Sequence, residues 1–131
     1  MSILSLRKRM LTYYRSLVSI YCPILAETVY FSADGFNHLI YDTNRKPRNI
    51  NEQYLKLKYL SKAKEVIEKC NLITETRKLV DKQGKEITFF SLEFGKTRVI
   101  IKKKGTGKHK FQSVMPIYPR TKNKKRRLRR S

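Results

Sequence analysis

The hydrophobic period changes once along this chain, and that change limits what it can fold into. Between Ile50 and Cys70 the apolar residues Ile50, Tyr54, Leu57, Leu60, Ile67 and Cys70 recur near every 3.6 residues, which predicts one long helix. Asn49, with Glu52 three residues on, supplies its N-terminal cap. Lys56, Lys62, Lys64, Glu65, Glu68 and Lys69 are assigned to its polar face. From Ile73 onward the period is two. Ile73–Val80, Ile87–Phe94, Thr97–Lys103 and Lys110–Ile117 read as strands, separated by turn signals at Asp81–Gly84, Gly95–Lys96 and Gly105–Gly107. Four short strands joined by short turns predict an antiparallel meander.

Upstream, Ile3, Leu6, Met10, Tyr13 or Tyr14, and Leu17 mark a basic amphipathic helix expected to end before Pro23. Thr28–Phe31 reads as a short strand, and Asp34-Gly35 as a turn. Phe36–Tyr41 fits either a helical turn or a second extended piece. The order of elements predicts an α+β domain over residues 1–119, with N-terminal helices packed on a four-stranded antiparallel β-meander. Residues 120–131 form a like-charged tail with little to bury, expected to stay disordered until it meets a polyanion.

Charge decides the class of partner. The 131 residues carry 31 Lys+Arg against 10 Asp+Glu, a net +21. Eight of those basic residues lie between Arg120 and Arg130; subtracting them leaves +13 on the rest, so the tail is not the source of the bias. A field of this sign selects RNA, DNA or an anionic membrane. The apolar run Leu17–Leu25 is too short to span a bilayer, and no lipidation signal is present. That disfavours a membrane adaptor and makes the cytoplasm the simplest compartment. Cys22 and Cys70 are too few for a zinc site and read as small buried hydrophobes rather than a disulfide. No phosphate-binding Walker loop, dinucleotide fingerprint, His-Glu-x-x-His or Cys-x-x-Cys appears, so no cofactor is expected.

Chemistry on a phosphate is suggested by Phe31–Tyr41, which holds His38, one of two histidines, with Arg45 and Arg48 within ten residues. Histidine exchanges protons near neutral pH, and the arginine fork matches two phosphate oxygens. His109, between Lys108 and Lys110 in a predicted turn, reads as solvent-exposed. In the last strand, simple alternation puts Phe111, Ser113 and Met115 on one side and Gln112 and Val114 on the other.

The Gly-x-Asn-His-Leu segment at Gly35–Leu39, the arginines after it, a helix, and four strands ending in Phe111-Gln-Ser-Val-Met115 together resemble the phage-type branch of the barnase–EndoU–colicin–RelE (BECR) superfamily of small metal-independent ribonucleases. The resemblance spans roughly Cys22 to Ile117. It implies RNA cleavage in a cleft on the sheet, with His38 as the histidine, Arg45 and Arg48 as the nearby basic residues and Ser113 as the late-strand hydroxyl. No clear glutamate of the barnase type stands out; Glu52 and Glu93 are the candidates. The reaction expected is endonucleolytic attack of the 2′-hydroxyl on its phosphate, in a toxin- or phage-associated enzyme whose partners are RNA and a cognate inhibitor or antitoxin. Lys102, Lys104, Lys108, His109, Tyr41, Arg126 and Arg127 are the expected RNA-binding residues. The alternative is a non-catalytic basic RNA-binding or ribosome-associated protein, for which the basic tail speaks.

Overall fold

The computed structural model describes residues 2–117, and within them the chain runs α1 (Ile3–Leu17), β1 (Ser19–Cys22), β2 (Glu27–Tyr30), α2 (Ala33–Ile40), α3 (Ile50–Leu60), α4 (Ala63–Lys69), β3 (Ile73–Val80), β4 (Glu86–Phe94), β5 (Thr97–Lys104) and β6 (His109–Pro116). The α+β class stands. The sheet, however, has six strands in the order β1-β2-β6-β5-β4-β3, not four. It is also mixed: β2 runs parallel to β6, pairing at Val29–His109 and Tyr30–Lys110. The basic tail, with Arg126 and Arg127, lies outside the described residues.

The first helix ends before Pro23 as expected, at Leu17, because Val18 takes a positive φ of 53° and the chain turns into β1. Ser19–Cys22 then pairs antiparallel with β2. The predicted Ile50–Cys70 helix is two. Its hydrogen-bond ladder breaks at Ser61–Lys62, where Lys62 N–H donates to the Tyr59 carbonyl three residues back. The apolar period runs through the break because Leu57, Leu60, Ala63, Val66 and Ile67 all enter the same core. A period records which side is buried, not whether the helix is continuous.

Phe36–Ile40 resolves as helix, and Tyr41 is the extended residue that follows it. α2 buries Gly35, Phe36, Leu39 and Ile40 and turns Asp34, Asn37 and His38 outward. It packs against β6 so closely that an added Cβ on Gly35 would collide with the Tyr14 hydroxyl and the Phe111 carbonyl. Tyr14 is buried, donates to the Ser32 carbonyl at 2.6 Å, and meets Phe31, Phe36 and Phe111 at ring distances of 5.4–5.8 Å. Glycine is therefore required at position 35 for close approach, not for a turn. This cluster ties α1, α2 and β6 together and fixes where His38 stands.

Strand pairing sorts the sheet into two faces. Leu92, Val99, Ile101, Phe111 and Val114 lie on one and are 0–1 % exposed. Arg98, Ile100, Lys102, Ser113 and Met115 lie on the other. A bulge makes this division possible. Ile100 pairs with Ser113 and Ile101 with Phe111, leaving Gln112 extra. Phe111 and Ser113 therefore point to opposite faces, which overturns the simple alternation expected from sequence.

Candidate functional site

His38 sits in the last turn of α2, half-buried, and its backbone carbonyl accepts from Arg48 Nε at 2.9 Å. The same guanidinium holds Glu52 through Nη1 at 3.0 Å. Arg48 thus bridges the end of α2 to the first turn of α3, with Nη2 unpartnered among the described residues. The local sequence explains the placement. Asn49 caps α3 by accepting from Glu52 N–H at 2.8 Å, and Arg48 N–H returns to the Ile40 carbonyl at 2.8 Å. Arg48 has no freedom to be elsewhere.

One turn after Glu52 stands Lys56. The helical period places it on the polar face, yet it is only 8 % exposed. Its ammonium donates to Ser113 Oγ at 3.0 Å and to the Val114 carbonyl at 3.5 Å. β6 pairs with β2 only as far as Lys110. Beyond that point α3 rather than a strand lies beside β6. Lys56 reaches into this place from α3, while the bulge turns Ser113 toward it. Burial lowers the Lys56 pKa to about 8, Arg48 pushes the same way, and Glu52 opposes them.

The imidazole of His38 feels the same group of charges. Partial burial pushes its pKa below the usual value; Lys102, Arg48 and Lys56 also lower it, and Asp34 pulls it back. Near neutral pH it is therefore largely a free base. Lys102 reaches this neighbourhood from β5, on the same face as Ser113. The links run from His38 through its carbonyl to Arg48, from Arg48 to Glu52, and from Lys56 to Ser113, with Lys102 acting on His38 through its charge; sequence reasoning missed the part of Lys56 and left that of Glu52 undecided. One signal for Lys56 was present: it stands next to Leu57 and four before Leu60, both fully buried, so it lies at the margin of the apolar stripe.

The other expected residues distribute around this centre. Tyr41 and Arg45 line a cleft of about 530 Å³ on the outer side of His38, together with Asp34, Asn37 and Asp42. Lys102, Lys104 and Lys108 line a second cleft of about 290 Å³, to which Lys85 and Lys110 add. Lys104 also pairs with Asp81 at 3.3 Å, and Lys108 lies 4.5 Å over the Tyr30 ring. Asp34 borders both clefts. Glu93, the other candidate acid, is bound by Arg98 Nε at 2.8 Å.

His109 is corrected. It is 7 % exposed, begins β6 rather than sitting in a turn, and packs against Phe90 with ring centroids 5.7 Å apart. β2 covers it through the parallel pairing at Val29, which the four-strand expectation omitted. Burial lowers its pKa, so it is a neutral core residue near pH 7 and not part of an RNA surface.

Among the described residues no group of three or more His, Cys, Asp or Glu side chains could hold a metal ion, and both cysteines are free and buried. No described helix is long and apolar enough to cross a membrane. Comparisons with family models, with curated proteins and with solved structures returned no match to this chain.

Proposed function

We propose that this protein is an endoribonuclease that cleaves RNA by attack of the ribose 2′-hydroxyl on the adjacent phosphate. The observation that carries the reading is that Arg48 ties the His38 carbonyl to Glu52, one turn before the buried Lys56–Ser113 pair, and that the charges of Lys102, Arg48 and Lys56 all act on the His38 imidazole. His38 takes the 2′-hydroxyl proton. The 2′-oxygen forms a bond to phosphorus as the bond to the 5′-oxygen breaks, yielding a 2′,3′-cyclic phosphate and a 5′-hydroxyl.

Each neighbour has a task that its hydrogen bonds leave open. Arg48 has Nε and Nη1 committed, which aims Nη2 at a phosphoryl oxygen with little loss of rotamer freedom. Ser113 Oγ accepts from Lys56, so the hydroxyl proton is available to donate to a non-bridging oxygen. Lys56, with a pKa of about 8, is charged at neutral pH yet acidic enough to protonate the departing 5′-oxygen. One preorganised donor of this type is worth about 3–4 kcal/mol of barrier.

The second cleft supports the polyanionic substrate. Lys102 and Lys110 are direct cross-strand partners, and like charges so placed destabilise a sheet by roughly 0.2–1 kcal/mol. An RNA phosphate relieves that repulsion. The same lysines favour the second reading, RNA binding without cleavage. Incubating the purified full chain with labelled RNA in EDTA, beside His38→Ala, separates the two. Cyclic-phosphate products lost in the variant support the nuclease. Salt-sensitive binding without cleavage in either protein supports the binding module. A toxin or phage role and a cognate inhibitor follow from the resemblance and rest on it.

A further inference from the structure

We infer that the lysine-lined cleft between the β5–β6 turn and the start of α2 binds the triphosphate of a 5′-triphosphorylated nucleotide, either the 5′ end of an unprocessed RNA or a free nucleoside triphosphate. The site stands on its own charge and shape; only the place of cleavage drawn from it below rests on the ribonuclease reading.

Strand pairing gathers the cations. Lys102 and Lys110 are direct cross-strand partners, and Lys104 lies two residues beyond Lys102 on the same face of β5. Lys104 in turn pairs with Ile87 on β4. Gly105 N–H donates to the Glu86 carbonyl at 2.7 Å, which brings Lys85 to the same cleft. The β5–β6 turn is tight, since a Cβ on Gly107 would lie 2.9 Å from the Lys104 carbonyl. That turn returns Lys108 to the cleft beside Lys110. Ser32 lines the cleft from the α2 side, and its side chain makes no capping hydrogen bond, so its hydroxyl adds a donor to the ammonium groups.

The charge count selects the ligand. Five lysines meet one carboxylate, Asp34, in this lining, which leaves +4. Lys104 also pairs with Asp81 at 3.3 Å, which reduces the excess to +3. Lys85, Lys102, Lys108 and Lys110 have no ion-pair partner among the described residues. A single backbone phosphate brings one negative charge and leaves most of this excess unmatched. A triphosphate brings about −3.5 to −4 near neutral pH, one from each inner phosphate and the rest from the terminal one. A run of nucleotides reaches that charge only by spreading it over several sugars, beyond the span of a cleft of about 290 Å³. Its oxygens then accept charge-assisted hydrogen bonds from several ammonium groups at once.

The charge of Lys102 acts on the His38 imidazole, so a triphosphate held here lies beside His38. On the ribonuclease reading, an RNA bound by this end is cut within its first few nucleotides.

The experiment measures binding by the full chain carrying His38→Ala, so that cleavage does not intervene, at about 150 mM salt, where diffuse attraction is screened. The probes are a short RNA with a 5′-triphosphate, a 5′-hydroxyl RNA lengthened to the same total charge, and ATP as competitor. The triphosphorylated RNA is expected to bind roughly tenfold or more tightly than its charge-matched partner. Adding Lys85→Gln and Lys110→Gln, both at exposed positions, is expected to abolish that preference, whereas Lys58→Gln with Lys62→Gln, exposed on the helices, keeps it. No preference, or one that both pairs of substitutions reduce equally, overturns the site and assigns the lysines to a diffuse basic field. Displacement by ATP at a concentration similar to that of the RNA end assigns the site to free nucleotides; an RNA end held far more tightly than ATP assigns it to RNA. Cleavage by wild type separates the two readings. A triphosphate preference in binding without cleavage supports the site and sinks the nuclease, while cleavage without that preference overturns the site and leaves the nuclease standing.

Discussion

Replacing Lys56 by methionine should stabilise the protein while destroying its activity. Methionine nearly matches the lysine stem in length and shape and lacks the charge. The ammonium is buried, and its pKa falls from the ordinary 10.5 to about 8. At about 1.4 kcal/mol per pKa unit, holding the charged form in the fold costs roughly 3 kcal/mol at pH 7. The lost contacts to Ser113 and Val114 return about 1–2 kcal/mol of that, the worth of hydrogen bonds from a charged group. A net gain of about 1–2 kcal/mol remains, or several degrees in Tm for a chain of this size.

The pH dependence carries a sign. Between pH 8 and 10.5 the unfolded chain holds a proton on Lys56 that the folded chain has released. Wild-type stability therefore rises with pH across that window through this group and is flat below it. Lys56→Met lacks the rise. The difference in unfolding free energy between variant and wild type, followed by denaturant titration, should be largest below pH 8 and shrink toward pH 10.5. RNA cleavage by the variant should fall by 100-fold or more, as for loss of a transition-state donor. A variant less stable than wild type at pH 7, with a difference independent of pH, would refute the claim that a buried charge is held there at a cost.

Three further outcomes follow. The kcat/KM profile should be bell-shaped, rising as His38 loses its proton below the usual histidine value and falling above about pH 8 as Lys56 loses its own; a plateau through pH 9 would remove Lys56 as the acid. Gly35→Ala should cost about 3 kcal/mol in denaturant unfolding, because the new methyl meets a backbone carbonyl that cannot yield. Glu52→Gln should lower kcat by about tenfold, since the neutral amide holds Arg48 less firmly; an unchanged kcat would make that pair structural only.

Local sequence determined a large part of this protein. The hairpin from β3 to β4, with its turn at Asp81–Gly84, is set by alternation and a glycine at φ +83°, both of which act within a few residues. β3 starts and ends where alternation places it. The Asn49 cap, and with it the position of Arg48, is likewise local. His38 stood out because histidine, glycine and arginine crowd one short segment of a chain that carries a net charge of +21.

What only the tertiary structure decided are contacts between segments far apart in the chain. β1 and β2 join the sheet through a parallel pairing with β6 about 80 residues away, which no local period encodes, and that pairing is what buries His109. The bulge at Gln112 sets Phe111 into the core and turns Ser113 to the other face. A one-residue insertion of this kind leaves composition and spacing unmarked. Lys56 looked like any surface lysine on a helix in a basic protein. It becomes a buried cation only because α3 lies beside β6 where no strand does, 57 residues before the serine it binds. Periodicity reports burial averaged over a face, whereas the chemistry of a single side chain is set by the atoms that happen to close around it.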